Sequence, residues 1–329
     1  MNIDELIGNE KVKTQLKLNA KASKMRNSSV NHVLMSGPPG CGKTSMANAL
    51  AALINSKFIP VSPESLKSPK DIYRLIENLD YTGYDIETGE IIENIKPAVV
   101  FFDEIHNLPM IAQELLGIAM ENWSIAVPDK NTGKSKVYWI PRFTIIGATT
   151  LEGKLSKPFL DRFKMIAHFK LYSLQEAVLI VQLHAEKKGW EIHPEAALDI
   201  ARRSRGIPRI MVRYLDSAID TAIVRGHTSI SPVTTGAVFS ILGIDKSGLK
   251  ESDINLLIAL HEAGVPVGVD TLSIMLSESK HTIEKTIEPY LIRQRFLLRS
   301  GKGRTLTEKG KQYLIESGYV KEQGRFRIV

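Results

Sequence analysis

The glycine-rich run from Gly37 to Thr44 limits the possible folds of this chain more than any other feature. It reads G-P-P-G-C-G-K-T and fits the pattern G-x-x-x-x-G-K-[ST]. A short apolar run at residues 32–35 precedes it, and an alanine-rich helical segment at 44–53 follows it. A strand, a glycine turn and a helix in this order predict a phosphate-binding loop, because backbone N–H groups and the helix dipole attract an anion there.

The residue types within this loop predict what it binds. Gly40 and Gly42 let the backbone approach phosphate groups closely. Lys43 is expected to reach the β- and γ-phosphates, and the hydroxyl of Thr44 is expected to ligate Mg²⁺. The run therefore predicts a nucleoside triphosphate bound with Mg²⁺.

A second motif places two acids directly after an apolar run. The residues at 98–102 predict a buried strand, and Asp103 and Glu104 follow it. Acids at the carboxyl end of such a strand meet the ligand in open α/β sheets. We expect Asp103 to hold the Mg²⁺ shell and Glu104 to orient the attacking water. His106, close behind, is more typical of a structural or supporting polar group than of a catalytic base.

Two hydroxyls and two arginines complete the predicted site. A third apolar run, residues 143–148, ends in Thr149 and Thr150, where a hydroxyl would lie between the metal acid and the γ-phosphate. Arg162 lies near the end of a helical segment and is predicted to act on a neighbouring subunit, a contribution of about 10³–10⁵ in rate. Arg209 opens a later helix and is expected to contact the γ-phosphate of its own subunit.

The order of elements predicts the fold. Strands alternate with helices up to residue 171, which predicts a parallel sheet covered on both faces. A polar stretch at 80–96 reads as an insertion or a small hairpin. Only helical patterns follow until beyond residue 265. Three helices and a glycine-containing hairpin then indicate a winged helix-turn-helix. The predicted domains are an α/β ATPase domain at 1–172, a helical lid at 173–246 and a winged helix at 247–329.

Positive charge gathers in the last of these domains. The chain carries a net charge of +7, and between Arg293 and Lys311 there are seven basic residues and one acid. Such a cluster suits a polyanion, because each neutralised phosphate releases condensed counterions. A solvated basic face is the alternative. Arg299, Lys302 and Arg304 lie in the hairpin, whose turn has no Asn or Gln to read adenine edges, so contact with duplex DNA independent of sequence is expected.

Composition excludes several other classes of protein. Hydrophobic residues make up 43% of the chain and charged residues 24%, which is typical of a folded globular protein. With one cysteine, Cys41, there is no intrachain disulfide and no cysteine-based zinc site. No apolar run approaches the ~18 residues that a membrane helix needs. The acidic, amphipathic N-terminal segment resembles neither a signal nor a transit peptide, and a cytoplasmic location is expected.

The motifs together resemble the RuvB family of AAA+ motors, which drive branch migration at Holliday junctions. The resemblance runs from Ile7 to about Thr307. The segments that carry it are residues 37–44, 101–106, 141–150, 161–163, 202–210, 248–257, 265–272 and 287–297. The last of these, I-E-P-Y-L-I-R-Q-R-F-L, is more specific than any general AAA+ motif.

The resemblance implies a fold and a set of partners. The fold is an α/β P-loop AAA+ ATPase core with a helical lid domain and a C-terminal winged helix. The activity is that of an ATP-driven homo-hexameric ring that pumps double-stranded DNA through four-way junctions in recombination and repair. The cofactors are ATP and Mg²⁺, and the protein partner is a RuvA-like junction-binding protein.

The resemblance also assigns roles to further residues. Ser45 joins the phosphate loop, and Leu6, Ile7 and Tyr172 lie near adenine. A triplet close to the nucleotide corresponds to Glu121, Asn122 and Trp123. Arg299 and Arg304 match arginines that contact DNA.

The chain departs from the family pattern at several places. A Leu-Arg-Pro segment that touches adenine is missing, and only Leu6, Ile7 and Gly8 remain of it. Leu160 replaces an arginine. The stretch at 80–96 is longer, and the region at 125–140, where the family docks its partner, differs.

Two other functions remain open at this stage. One is an AAA+ winged-helix ATP switch that resembles replication initiators or loaders, in which ATP licenses assembly on DNA. The weaker alternative is a clamp loader, whose arginine usually lies in a Ser-Arg-Cys motif and whose C-terminus is a helical collar. ATP hydrolysis stimulated by duplex DNA at steady state would separate a motor from a switch.

Overall fold

A computed structural model describes residues 2–26, 28–79, 97–128 and 135–321. The chain divides into two compact units, residues 1–180 with 207–209, and residues 181–206 with 210–329. The predicted insertion at 80–96 lies outside the described residues. Across the described ranges, no helix is both long and apolar enough to cross a membrane.

The first unit is built on a five-stranded parallel sheet, which confirms the predicted α/β architecture. Its spatial order is β2-β3-β6-β1-β7. The strands are β1 (Val33–Ser36), β2 (Phe58–Val61), β3 (Val99–Phe102), β6 (Thr144–Thr149) and β7 (Met165–His168). β1, β3 and β6 are the three strands expected from the sequence, and β2 and β7 add the two edges.

Helices cover both faces of this sheet. They are α1 (Glu10–Met25), α2 (Lys43–Leu53), α3 (Pro69–Glu77), α4 (Met110–Asn122) and α5 (Lys157–Leu160). Side chains alternate along each strand, so neighbours face opposite sides. Phe101 packs in the cluster formed with α1 and α2, whereas Phe102 packs in the cluster formed with α3, α4 and α5. A strand buried on both faces explains why these runs are continuously apolar.

An antiparallel hairpin follows α4. It consists of β4 (Ser124–Pro128) and β5 (Ser135–Trp139), and residues 129–134 between them lie outside the described part of the chain. All five residues of β5 are exposed, including Val137, Tyr138 and Trp139. The hairpin therefore presents apolar side chains on its surface.

Four helices form the lid region. They are α6 (Leu174–Lys187), α7 (Pro194–Arg203), α8 (Pro208–Val224) and α9 (Pro232–Ile241). Two short parallel strands, β8 (Glu191–Ile192) and β9 (Ser229–Ile230), also pair there. The expectation of no strand before residue 265 is wrong, because a two-residue pairing is too short to leave an alternating pattern in the sequence.

The last part of the second unit is a winged helix, as predicted. Its elements are α10 (Glu251–Ala263), α11 (Val269–Leu276), α12 (Lys280–Thr282), a π-helical turn (Ile283–Ile287), α13 (Glu288–Arg293), β10 (Leu297–Ser300), β11 (Gly303–Leu306) and α14 (Glu308–Glu316). Buried leucines from these helices and from the hairpin share one core. The backbone of Val267 exchanges two hydrogen bonds with Arg304, which joins the segment before α11 to the wing.

Candidate functional site

Three neighbouring strands bring the predicted catalytic motifs together. β3, β6 and β1 lie side by side in the sheet, and all run in the same direction. Asp103 follows β3, Thr149 ends β6, and the glycine-rich loop follows β1. Because the carboxyl ends of parallel strands meet at one edge, these groups share the carboxyl edge of the sheet. The amide of Gly37 donates to the carbonyl of Thr149 at 3.1 Å, which joins two of the motifs directly.

The loop needs glycine at two positions. Gly40 and Gly42 have φ angles of +73° and +83°, in the left-handed region that other residues rarely adopt. A Cβ on Gly40 would lie 2.9 Å from the Ile207 side chain, and one on Gly42 would lie 3.1 Å from the hydroxyl of Tyr172. The conformation and the close packing together require glycine here. The loop leads into the N-terminus of α2, which is suited to binding phosphate.

Lys43 is buried at the base of this loop. Its ammonium donates to the carbonyls of Gly37 and Pro38 at 2.8 and 2.9 Å. Burial lowers the pKa of Lys43, and the carboxylates of Glu104 and Asp103 oppose that change. The positive charge of Lys43 therefore lies inside the loop and near the two acids, where it could pair with the oxygens of a triphosphate.

The chemistry of this edge suits a nucleotide-bound Mg²⁺ ion. Thr44 and Asp103 are both exposed, in the first turn of α2 and after β3. No cluster of three or more His, Cys, Asp or Glu able to hold a metal occurs among the described residues. A phosphate-bound Mg²⁺ ion needs no such cluster, because one or two protein oxygens, phosphates and waters complete its shell. The residues present thus fit the predicted ion.

Glu104 is held by a small hydrogen-bond network. It adopts a left-handed conformation, with φ of +47°. Its Oε2 accepts from the amide of Thr150 at 3.1 Å and from the hydroxyl of Thr150 at 3.0 Å. His106 Nδ1 lies 3.1 Å from the same oxygen and 2.9 Å from the hydroxyl of Thr149. Three polar groups from Thr150 and His106 thus converge on one oxygen of the Glu104 carboxylate.

The network distinguishes the two threonines and gives His106 two partners, Glu104 and Thr149. Thr150 contacts Glu104 directly, whereas Thr149 is fully buried and its hydroxyl accepts from the amide of Leu151 at 3.0 Å. His106 links the two branches. The sequence shows the histidine three residues after Asp103, yet only the turn after β3 shows that its ring faces Glu104.

The predicted adenine residues also lie around the loop. The hydroxyl of Tyr172 donates to the carbonyl of Cys41 at 3.2 Å, and burial raises the pKa of this tyrosine. A Cβ on Gly8 would lie 2.7 Å from the Tyr172 ring. Leu6 and Ile7, half-buried, precede Gly8. The N-terminal segment, the tyrosine and the phosphate loop therefore form one continuous group.

Arg209 belongs to the same compact unit as the loop. A Cβ on Gly40 would lie 3.4 Å from Cβ of Arg209, so this arginine starts next to the phosphate loop. Its side chain is exposed. Ser45 is half-buried in the first turn of α2. Both positions agree with roles toward phosphate.

Arg162 lies at the amino ends of the strands, opposite the carboxyl ends that carry the phosphate loop. It lines a cleft of about 770 Å³ together with His32, Arg142 and Lys164, which lie one or two residues before β1, β6 and β7. These are the amino ends of the strands. Arg162 is therefore separated from the phosphate loop of its own chain by the length of the sheet.

The predicted nucleotide triplet lies at this amino edge as well. Glu121 and Trp123 line the cleft, and Asn122 ends α4 between them. Glu121 pairs with Arg162 at 2.6 Å. The triplet is thus not close to the phosphate loop of its own chain, and the structure brings it together with Arg162 instead.

Aromatic packing supports this cleft from below. The rings of His32, Trp123 and Phe143 lie 5.6–5.8 Å apart, and the Arg142 guanidinium lies over Trp123 at 5.5 Å. His32 Nδ1 accepts from the amide of Ile145 at 2.9 Å. Burial lowers the pKa of His32 to about 4, so the imidazole is neutral near pH 7.

Comparison with protein families decides the assignment of the chain. The P-loop domain of the Holliday junction DNA helicase RuvB matches residues 1–169, the RuvB AAA lid domain matches 172–245, and the RuvB C-terminal winged helix domain matches 246–315. The chain belongs to the RuvB family.

Relatives of known name are similar over nearly the whole length. The Holliday junction branch migration complex subunit RuvB of Lactobacillus johnsonii is 37% identical over 319 residues, which are 96% of this chain and 89% of the relative. The protein of the same name from Streptococcus equi subsp. zooepidemicus is 36% identical over 323 residues, 97% and 92% of the two chains. The solved RuvB Holliday junction branch migration motor of Thermotoga maritima is 33% identical, with a TM-score of 0.77 and coverage of 95% and 96%.

In this RuvB-family chain, the wing differs from the expectation at Arg304. Its side chain is 7% exposed and pairs with Glu288 at 2.6 Å and with Glu284 at 2.8 Å. Glu288 is itself 1% exposed. Arg304 thus forms an ion pair inside the winged helix and is not an exposed cation available to DNA. The acids that neutralise it come from the start of α13 and from the π-helical turn before it, 16 and 20 residues away, and the hairpin sequence gives no sign of them.

The other two wing cations are more accessible. Arg299 is 50% exposed at its side chain and pairs with Glu284 at 2.8 Å and with Glu288 at 3.5 Å. Lys302 is exposed in the two-residue turn between β10 and β11. Lys302 is therefore the wing cation best placed for a phosphate, whereas Arg299 is half-exposed and already paired with two acids.

Replacing Glu104 by Gln removes the predicted base and keeps its shape. We expect nucleotide binding and assembly to persist while the ATP hydrolysis rate falls about 100-fold or more, since general-base catalysis contributes about 10²–10⁴. Steady-state phosphate release, with nucleotide binding measured separately, checks this. Near-normal turnover of Glu104→Gln would remove Glu104 from that role.

The buried ion pair makes a prediction about stability. Arg304→Ala should destabilise the winged helix by about 3–5 kcal/mol, because it leaves Glu288 buried without a partner. Arg299→Ala, at a half-exposed position, should cost less than about 1 kcal/mol. Native-state hydrogen exchange of the core amides of α13 and β10 measures both. Equal small effects would contradict the assignment of Arg304 as a structural residue.

Proposed function

We propose that this chain is an ATP-driven motor that moves double-stranded DNA through Holliday junctions and acts as a homo-hexameric ring. The observation that carries this proposal is the placement of the phosphate loop and Arg162 on opposite edges of one parallel sheet. Family membership supports the reaction, and this geometry supports the ring.

The distance across the sheet favours action between copies. A four-residue strand such as β1 spans about 13 Å at about 3.3 Å per residue, and Arg162 lies beyond its amino end. Its guanidinium would therefore serve the nucleotide of a neighbouring copy. A chain with one half of a site at each end of its strands assembles head to tail, and such an interface forms a ring when the rotation between copies closes. Arg162 and the triplet at Glu121 then form the contribution of one copy to the site of the next.

The residues of the carboxyl edge suggest how hydrolysis proceeds. The loop amides and Lys43 bind the phosphates, with Leu6, Ile7 and Tyr172 toward the base. Thr44 and Asp103 would hold Mg²⁺, which neutralises charge on the phosphate oxygens when bound.

Glu104 accepts a proton from the attacking water, since its oriented carboxylate lies near Lys43 at the carboxyl ends of the strands. Thr150 and His106 keep that carboxylate oriented. Arg209 of the same copy and Arg162 of the neighbour stabilise the charge that develops on the transferred group. Hydrolysis then depends on both copies.

The winged helix is the proposed contact with DNA. Lys302 at the tip of the hairpin, with Arg299 beside it, would bind backbone phosphates without reading bases. A motor that travels along any duplex requires this property.

The exposed β4–β5 hairpin, with Val137, Tyr138 and Trp139, is the proposed docking surface for a RuvA-like partner. Action on DNA also agrees with the expected cytoplasmic location, and we retain 1–172, 173–246 and 247–329 as the proposed domains.

Duplex DNA and a synthetic four-way junction test the function directly. Steady-state ATP hydrolysis should rise when duplex is added, and labelled junction strands should separate in an ATP-dependent reaction with a RuvA-like partner. Unchanged hydrolysis, with ATP-dependent assembly on DNA and no strand movement, would instead indicate the ATP switch typical of replication initiators.

The shared site makes a prediction about mixed rings. Arg162→Ala should bind ATP and fail to hydrolyse it, and Lys43→Ala should fail to bind it productively. Mixing the two variants should restore hydrolysis, because one type of interface pairs an intact loop with an intact arginine. Phosphate release across mixing ratios is the measurement. If verified mixed rings show no recovery at any ratio, Arg162 acts within its own chain or only structurally.

The wing makes a prediction about salt. Lys302→Ala should weaken binding to duplexes of unrelated sequence by the same factor and make the log–log salt slope shallower by about 0.9 for each lost phosphate contact. Lys57→Ala, which removes one exposed charge from the other unit, is the matched control and should leave the slope unchanged. A salt slope for Lys302→Ala equal to that of the unmodified protein would show that the tip does not touch phosphate.

A further inference from the structure

Arg205 has an unusual position in the second unit. It follows the C-terminus of α7 and, although it is not a glycine, has a φ angle of +58°. Its guanidinium donates to the carbonyl of Gly248 from Nε at 2.9 Å and from Nη2 at 2.6 Å, and Nη2 also pairs with the carboxylate of Asp253. The same group lies 4.1 Å over the ring of Tyr290. Three kinds of interaction thus converge on one side chain.

All of these partners lie beyond the lid helices. Gly248 is in the linker, Asp253 is in α10 and Tyr290 is in α13, the helix before the wing. Asp253 is 2% exposed, and its Oδ2 also accepts from the amide of Lys250 at 2.8 Å, which caps α10. Arg205 therefore joins the end of a lid helix to two helices of the winged helix.

Neighbouring contacts make this junction tight. Arg203 donates to the carbonyl of Ile244 at 2.8 Å, and the hydroxyl of Tyr290 donates to the carbonyl of Ser247 at 2.6 Å. A Cβ on Gly248 would lie 2.8 Å from the carbonyl oxygen of Arg203. The linker is thus held from both sides, in agreement with residues 181–206 and 210–329 forming one compact unit.

The position of Arg205 in the sequence gives this junction a functional meaning. Arg209, the proposed γ-phosphate arginine, follows four residues later, and Pro208 between them restricts the backbone. One short segment therefore begins with Arg205, which contacts the winged helix, and ends with Arg209, which is proposed to contact the nucleotide.

We propose that Arg205 is a positioning residue that couples the nucleotide state to the winged helix through Gly248, Asp253 and Tyr290. The role of this coupling in moving DNA rests on the proposed function, whereas the contacts of Arg205 do not depend on it. A bidentate guanidinium that also stacks on an aromatic ring is specific to arginine, so lysine keeps the charge and loses most of the geometry.

Hydrogen–deuterium exchange of the full chain tests the coupling without requiring motor activity. The probe is a slowly hydrolysed ATP analogue with Mg²⁺, and exchange is followed in the loop at 37–44 and in the winged helix at 249–300. The variants are Arg205→Ala, Arg205→Lys and Asp253→Asn. Arg202→Ala, an exposed arginine in the last turn of α7, is the matched control.

In the unmodified chain and in Arg202→Ala, the analogue should change exchange in both regions. In Arg205→Ala the loop should still respond, and the response of the winged helix should fall at least tenfold. Arg205→Lys and Asp253→Asn should show a partial loss. A winged-helix response that persists in Arg205→Ala, or that is absent from the unmodified chain, would overturn the coupling. If Arg205→Ala loses the loop response through unfolding, Arg205→Lys decides: a winged-helix response below that of the unmodified chain, with the loop response intact, supports the coupling, and an unchanged winged-helix response overturns it.

A second readout separates this inference from the proposed function. The amount of ATP consumed per junction whose strands separate should rise at least tenfold in Arg205→Ala, while the basal hydrolysis rate stays within about twofold of that of the unmodified chain. If the unmodified chain moves no junction, the proposed function fails and the exchange result still decides the role of Arg205. If hydrolysis falls in parallel with strand movement, Arg205 acts on the nucleotide site and the coupling is overturned.

Discussion

The common direction of the five strands is the constraint on which the rest of the molecule depends. Backbone pairing of β3 with β6 and of β6 with β1 fixes a single carboxyl edge, where the phosphate loop, Asp103 and Thr149 meet. The same pairing fixes an amino edge, where Arg162 and Glu121 line one cleft. We propose that a complete hydrolytic site needs residues from both ends of the strands. Because the parallel sheet keeps these two groups apart within one chain, the proposal requires a second copy.

Arginines in this chain act in two physically different ways. Arg162 and Arg209 are accessible enough to meet a phosphate, whereas Arg205 and Arg304 are nearly buried against carboxylates. Breaking a buried pair by removing one partner is costly, because the remaining charge stays desolvated. Buried arginines therefore hold elements in place, whereas exposed ones stay accessible to a ligand. The number of basic residues in a segment does not distinguish these roles.

Sequence patterns predicted the parts of this fold whose signals are local. The phosphate loop, the acid pair after β3 and the three helices before the wing follow from adjacent residues. The edge strand β2 contains a proline and is only partly buried, so its pattern is weak. Contacts that span long sequence separations could not be predicted, such as Glu288 with Arg304. The sharing of Glu104 between His106 and Thr150 likewise depends on how two strand ends meet.

We propose that each nucleotide lies between two copies, and a structure of the assembled ring would show this arrangement. Cryo-electron microscopy of the full chain with a slowly hydrolysed ATP analogue, Mg²⁺ and a four-way junction gives the required distances. We expect Arg162 within hydrogen-bond distance of the γ-phosphate held by the phosphate loop of the neighbouring copy. Glu104 of that copy should face the same γ-phosphate from the side of the attacking water. An arginine directed at solvent, or at the nucleotide of its own chain, would contradict the account.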